Sequence, residues 1–207
     1  MNVSNSTDSE FLAWIEVQRA ASKACTERDK AQLAIDLIED YLARNPPRDL
    51  RREALAFRGM ISQDRGDLHA AKADFIAALE SASDRDFVRF ELEDTIANVC
   101  GELDDSKSTE KWFVAALRTA AADPRVAGGG FLLRFLRFRG ARGFSEEERR
   151  LVERVVRQSW HLLRVEEQPD LTDLEATCRK LIEAQRGPFS AKRPPTPKVY
   201  AGPAEEG

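Results

Sequence analysis

The most chemically distinctive stretch of the chain is GGGFLLRFLRFRGARGF, residues 128–144, in which arginines are interspersed with large apolar side chains. Glycine-rich loops can cradle phosphate through backbone amides, and guanidinium groups can bind phosphate or carboxylate. A basic and apolar helix can also lie on a membrane surface. Three kinds of site therefore have to be weighed for this stretch.

The glycine run lacks the pattern of a nucleotide-binding loop. That loop ends in Gly-Lys followed by Ser or Thr, so that a lysine reaches the phosphates and a hydroxyl reaches magnesium. Here Phe131 and Leu132 follow Gly130, and no strand is predicted before the run. We interpret the glycines as a flexible joint between two helical segments.

The helix predicted over 129–141 is expected to be buried on most sides. At about 100° per residue, its phenylalanines and leucines spread over more than half of the helical wheel, so no clean basic face remains for a membrane. Arg134 and Arg137 share the narrow polar wedge. Arg139 and Arg142 lie near the helix end, where cations interact favourably with exposed carbonyls.

Residues suited to catalysis or metal binding are sparse. The two histidines, His69 and His161, are expected at an exposed or capping position and near a helix end. No Cys-x2-Cys or His-Glu-x2-His pattern occurs. Carboxylate pairs such as Glu91 with Asp94 are expected on solvated helix faces. We therefore expect no enzyme activity, no cofactor and no metal site.

The composition favours a single domain that resides in a reducing compartment. The chain has 207 residues, 42% of them hydrophobic, and a net charge of -4, so no global basic field attracts nucleic acid. Its cysteines, Cys25, Cys100 and Cys178, are odd in number and widely spaced, which is typical of free thiols. No signal-peptide pattern and no run of about 18 apolar residues occurs. We expect a cytoplasmic protein, and the 24 arginines against 8 lysines favour a GC-rich bacterial genome.

Helical periodicity covers almost the whole chain and predicts an all-α fold. Capping boxes are predicted at Thr7 with Glu10, Ser145 with Glu148, and Thr172 with Glu175. A tail rich in proline and small or charged residues, 187–207, is predicted to be flexible, and its RPPTPK segment could also occupy an aromatic groove. The nine predicted helices are 8–24, 28–44, 49–64, 67–82, 86–103, 107–121, 129–141, 145–164 and 171–186.

Residues 55–82, LAFRGMISQDRGDLHAAKADFIAALESA, contain the most informative pattern. A small residue in the first helix, a glycine at the turn and Ala-x3-Phe-x2-Ala in the second helix resemble the tetratricopeptide repeat. The pattern recurs 37 residues upstream and 38 residues downstream. The three sets are Gly59, Gly66, Ala71, Phe75 and Ala78, then Ala34, Ile38 and Tyr41, then Thr109, Phe113 and Ala116.

The chain departs from the family consensus at four positions. Leu55 stands where the family usually has tryptophan, Arg58 where it has leucine, Ser62 where it has tyrosine and Ser83 where it has the closing proline. The resemblance implies a right-handed superhelix of antiparallel hairpins, a TPR-like α-solenoid, over residues 1–186. Its predicted hairpins are 8–44, 49–82, 86–121 and 129–164, followed by a capping helix at 171–186.

The resemblance also implies where a partner binds. In this family the first helix of each hairpin lines a concave groove that holds peptides of partner proteins. The Lys/Asn carboxylate clamp of chaperone-binding members is not reproduced here. The corresponding groove residues are Arg19, Lys23, Met60, Gln63, Asp94, Asn98, Arg134 and Arg137.

Three functions are consistent with this sequence. The first is a non-catalytic module that binds a partner protein or peptide in the groove, and the second is a dedicated secretion chaperone or immunity-type protein that masks one cognate partner. The third is nucleic-acid binding through the basic segment from Arg125 to Arg142. For Arg134 and Arg137 the alternatives are a solvated polar wedge, ion pairs with acids of the third hairpin such as Asp94, capture of an acidic partner segment, or nucleic acid.

Overall fold

The computed structural model describes residues 4–24, 26–82, 86–123, 129–140, 143–162 and 170–185. Over these residues the chain forms nine α-helices and a short 3₁₀ turn at Arg28–Lys30, with no strand, which confirms the all-α class. The predicted bounds agree within three residues except at the start of α1. The helices are α1 Ser4–Ala24, α2 Ala31–Ala43, α3 Arg48–Asp64, α4 Leu68–Glu80, α5 Asp86–Glu102, α6 Ser106–Ala122, α7 Gly129–Arg139, α8 Glu146–Leu162 and α9 Leu174–Gln185.

Contacts divide the chain into two compact units, residues 1–126 and 127–207. Helices α1–α6 belong to the first unit and α7–α9 to the second. The boundary adjoins the glycine run that we interpret as a joint. That residues 1–186 form one repeat domain stays a prediction, and the tail 187–207 lies outside the described residues.

The first unit is built from helices that pack on their neighbours in the chain, α1 on α2, α3 on α4 and α5 on α6. Helix α3 also packs against both α1 and α2. Its Ala54 and Ile61 join a core cluster with Trp14 and Ile38. The ring of Trp14 lies 5.5 Å from that of Tyr41, and such aromatic contacts add to the stability that burial gives.

The turn between the two helices has the same backbone geometry in the second and third helix pairs, 38 residues apart. After α3, Asp67 N–H donates to Ser62 O at 2.8 Å and Gly66 N–H to Gln63 O at 2.9 Å, around a glycine at φ 82°. After α5, Asp105 N–H donates to Cys100 O at 3.0 Å. Both turns are Schellman motifs, which satisfy the last carbonyls of a helix.

Each of these turns leads into an aspartate that begins the next helix. Asp67 accepts a hydrogen bond from Ala70 N–H, and Asp105 accepts one from Ser108 N–H, both at 3.1 Å. The residue before Asp105 is Asp104, whose φ of 57° is left-handed although it carries a side chain. The repeat of the sequence pattern is therefore also a repeat of backbone geometry at this turn.

Close packing inside the second pair explains its small residue. A Cβ placed on Gly59 of α3 would lie 2.9 Å from Cε1 of Phe75 on α4, which is 2% exposed. A ring can lie across the helix only because no side chain stands there. The spacing of Gly59 and Phe75 in the repeat pattern thus corresponds to a direct contact.

The departure at Arg58 has a physical explanation in the same pair. Its guanidinium donates two hydrogen bonds to the carboxylate of Asp74, at 2.9 and 2.6 Å, and lies 3.4 Å from Glu39 of α2. The hydrogen bonding of Arg58 to the Asp74 carboxylate is the main cause that raises the pKa of Arg58. A bidentate ion pair between α3 and α4 therefore takes the place of an apolar contact.

The end of α4 is stabilised by Arg48 at the start of α3. Its guanidinium donates to the carbonyl oxygens of Glu80, Ser81 and Ala82 at 3.1 to 3.3 Å. A cation at a helix C-terminus satisfies carbonyls that have no partner within the helix.

In the second unit, α9 packs against both α7 and α8. The capping box predicted at the start of α8 is confirmed, because Ser145 N–H donates to Glu148 Oε2 at 2.8 Å and Glu148 N–H donates to Ser145 Oγ at 3.3 Å. Phe135 is fully buried and stacks on Phe131 and Phe144. The expectation that α7 is buried on most sides is therefore met for its aromatic face.

The other two predicted capping boxes are wrong. Helix α1 already begins at Ser4, so Thr7 lies inside it. Helix α9 begins after Asp173, whose carboxylate accepts from Ala176 N–H at 2.9 Å, while Thr172 donates to Asp170 instead. Aspartate is at least as good an N-cap as threonine, and here it stands one residue closer to the helix.

Candidate functional site

An open cleft of about 450 Å³ runs along the first helix pair. All of its lining residues belong to α1, to α2 or to the turn between them. Arg19 and Lys23, two of the predicted groove residues, lie on its α1 side and are exposed. The remaining lining residues are Glu16, Ala20, Lys30, Leu33, Ala34 and Leu37.

Helical geometry brings the α1 residues of the cleft into one row. Glu16, Arg19 and Lys23 fall within an arc of about 60° on the helix, opposite to the side that Trp14 and Val17 bury. Small side chains at Ala20 and Ala34 leave space between the helices. The core residues of α1 thus orient the row toward solvent.

The rim of the cleft is predominantly cationic. Arg19 and Lys23 make no ion pair with any residue that the structure describes, and Lys30 lies 3.8 Å from Asp29. Glu16 is the one acid among the lining residues. Exposed cations held along one row form a local positive field on a protein whose net charge is -4.

The wall of the cleft is apolar. Leu33 is 57% exposed and Leu37 is half-buried, both on α2. The sequence does not predict these two residues as part of a site, because the repeat pattern selects Ala34, Ile38 and Tyr41, which form the buried face. The signal in the sequence that could have indicated them is that Leu33 and Leu37 are four residues apart, on one side of α2, but outside its buried face.

The predicted groove residues of α3 have different surroundings. Met60 is 44% exposed. Gln63 donates a hydrogen bond at 2.7 Å to Glu102 at the end of α5, so its amide already has a protein partner. Met60 is therefore the more accessible of the two for contacts with another molecule.

The predicted groove residues of α5 offer little surface. Asp94 is 8% exposed, and the amide of Asn98 donates to the Asp94 backbone carbonyl at 2.8 Å. The adjacent Glu93 is buried as well and accepts from Arg89 and from Thr119 of α6, at 3.0 and 2.7 Å. The expected acidic centre of an open groove is thus largely a set of contacts within the protein.

Arg134 and Arg137 lie on α7 of the second unit, where Arg134 is half-buried and Arg137 is exposed. Arg139 differs from both, since it forms a buried ion pair with Glu148 and lies over the rings of Phe135 and Phe138. Its predicted placement at a helix end is confirmed, but its charge is already paired. Arg125 and Arg142 lie outside the described residues.

The thiols and histidines do not form a site among the described residues. Cys100 and Cys178 are buried, and burial raises the pKa of Cys178 to about 12. His69 is exposed on α4, whereas Cys25 and the side chain of His161 lie outside the described residues. In the part of the chain that the structure describes, no three His, Cys, Asp or Glu side chains converge on a common point for a metal ion.

None of the described helices combines the length and the apolar character that crossing a bilayer demands.

Comparisons with known proteins add little to these residues. No protein-family model matches the chain, and no curated protein matches it. It is similar to the crystal structure of BtubC (BKLC) from P. vanneervenii, with 13% sequence identity and a TM-score of 0.46, over 96% of this chain and 97% of that chain.

Proposed function

We propose that this protein is a non-catalytic interaction module that binds a partner protein or peptide. The observation that supports this function most directly is the cleft on α1 and α2, which combines exposed cations without ion pairs among the described residues with an exposed leucine. A site that joins apolar surface to a few oriented charges is typical of protein recognition.

The helical-hairpin scaffold supports the same proposal. Stacked antiparallel pairs, as in a TPR-like α-solenoid, hold such a surface rigid, so that binding costs the receptor little conformational entropy. The predicted groove contributes Arg19, Lys23 and Met60 as accessible side chains. Arg134 and Arg137 remain a second candidate surface of the same function.

Quantitative affinity capture from the native lysate tests this function. The wild-type chain is compared with Arg19→Glu/Lys23→Glu, with Arg134→Glu/Arg137→Glu, and with Arg51→Glu/Lys107→Glu as a control of equal charge change on exposed positions of α3 and α6. We expect one or a few proteins to be recovered by the wild type and the control, and to be depleted with Arg19→Glu/Lys23→Glu. A wild-type bait that recovers no protein above an unrelated acidic bait contradicts the proposed function.

A further inference from the structure

The pair formed by α1 and α2 has two lateral grooves, and the chain itself fills one of them. Helix α3 packs on both helices, and its Ala54 and Ile61 enter the core cluster of this pair. None of the residues that line the open cleft belongs to α3. The molecule therefore already demonstrates that a helix is a suitable occupant for a groove between these two helices.

The dimensions of the open cleft suit a helix as well. From Glu16 to Lys23 the lining row advances seven positions along α1, which at 1.5 Å per residue is about 10 Å, or about two helical turns. The row continues to Leu12, which lies one turn before Glu16. Leu12 is 61% exposed. A segment of a few turns could thus lie along the pair.

The chemistry of the cleft specifies what that helix must carry. Leu33 and Leu37 on the wall, with Leu12 at the end of the row, require an apolar stripe on the occupant. Arg19 and Lys23 on the rim favour carboxylates beside that stripe. A basic or uniformly polar helix would meet like charges or leave the leucines exposed.

We propose that the cleft on α1 and α2 binds an acidic amphipathic helix of a partner protein, packed antiparallel or parallel to α1 in the groove opposite to α3. This assignment rests on the proposed function and specifies the partner class for it. The helix places apolar residues at i, i+3 or i+4, and i+7 against Leu33 and Leu37, and its flanking Asp and Glu side chains meet Arg19, Lys23 and Lys30.

The test is selection of peptides against the full-length protein from a displayed library of random peptides of about 16 residues, a length at which an isolated helix becomes marginally stable. Selected peptides are synthesised, and their affinity is measured by fluorescence anisotropy at low and high salt. The variants are Arg19→Glu/Lys23→Glu, Leu33→Ser and the control Arg51→Glu/Lys107→Glu. Circular dichroism and thermal unfolding verify that each variant retains the fold.

We expect the selected peptides to carry helically spaced apolar residues flanked by Asp and Glu, and to become helical on binding. Their affinity should fall about tenfold or more with Arg19→Glu/Lys23→Glu and about tenfold with Leu33→Ser, and it should weaken with salt, whereas the control changes it less than about twofold. Affinity unchanged by Arg19→Glu/Lys23→Glu overturns the proposal. So do selected peptides that are basic or bind without becoming helical, and so does a single-stranded oligonucleotide that displaces them.

Failure of this inference is distinguishable from failure of the proposed function. If Arg19→Glu/Lys23→Glu captures a native partner as well as the wild type does, the cleft assignment is overturned, while the protein remains an interaction module. The absence of any specific native partner for the wild type contradicts the function itself.

Discussion

Replacing Gly59 by alanine sets two effects of known sign against each other. Alanine in a helix interior is more stable than glycine by about 1 kcal/mol, which favours the substitution. The added Cβ, however, would stand 2.9 Å from the ring of Phe75, which is 2% exposed, so the ring can shift only by displacing its own neighbours. Overpacking of this kind costs about 1 to 3 kcal/mol, so we expect a net loss of about 1 kcal/mol in the free energy of unfolding.

The assay is urea unfolding at constant temperature, followed by circular dichroism. With an m-value of about 2 kcal/mol/M, Gly59→Ala should lower the midpoint by about 0.5 M. Gly101→Ala on α5 is the matched control, because the nearest atom to its added Cβ is 3.9 Å away, and it should raise the midpoint slightly.

A second substitution isolates the contact. In a Phe75→Leu background the ring is absent, so Gly59→Ala should cost less by about 0.5 to 1 kcal/mol than it does in the wild type. A Gly59→Ala variant that is stabilised as much as Gly101→Ala, or whose cost is unchanged by Phe75→Leu, would refute the reasoning.

Three further predictions concern the repeated turn and a buried thiol. Asp104→Gly should stabilise the protein by about 0.5 to 1 kcal/mol in thermal or urea unfolding, since Asp104 has a left-handed φ of 57°, and a destabilised variant would contradict this. Hydrogen bonds from Ser108, followed by Lys72, lower the folded pKa of Asp105 to about 2, so its contribution to stability is present above its ordinary value of 3.8 and is lost as the pH falls toward 2. Asp105→Asn should therefore flatten the fall of stability between pH 4 and pH 2, and an unchanged slope would argue against that role. Cys178, with its pKa raised to about 12 by burial, should react with iodoacetamide near neutral pH only after unfolding, and peptide-resolved mass spectrometry that finds fast labelling of the native protein would contradict its burial.

Much of the fold follows from local signals in the sequence. Helical periodicity and the breaks at proline and glycine predict each of the nine helices that the structure describes, because these signals act within a few residues. The small residue at Gly59 and the aromatic at Phe75 predicted a repeat spacing, and the structure places them in contact. The cap of α9 was assigned one residue early because two good capping residues, Thr172 and Asp173, adjoin each other.

The candidate site was less accessible to sequence reasoning. The family resemblance selects Asp94 by its place in the repeat, yet the structure buries this residue, and burial depends on how neighbouring helices pack. Conversely, the sequence does not predict that Leu33 is exposed, because the exposure of a single leucine depends on which side of α2 the neighbouring helices cover. Arg139 was located at the helix end, but its pairing with Glu148 joins residues on two different helices and has no local signature.

Hydrogen–deuterium exchange of the full-length protein, with and without a captured native partner, tests the central claim most directly. We expect binding to slow exchange in peptides that cover 10–24 and 28–43, the two sides of the cleft, because a docked helix reduces local opening there. Protection confined to other regions, such as 129–139 alone, would contradict the assignment of the first helix pair as the binding site.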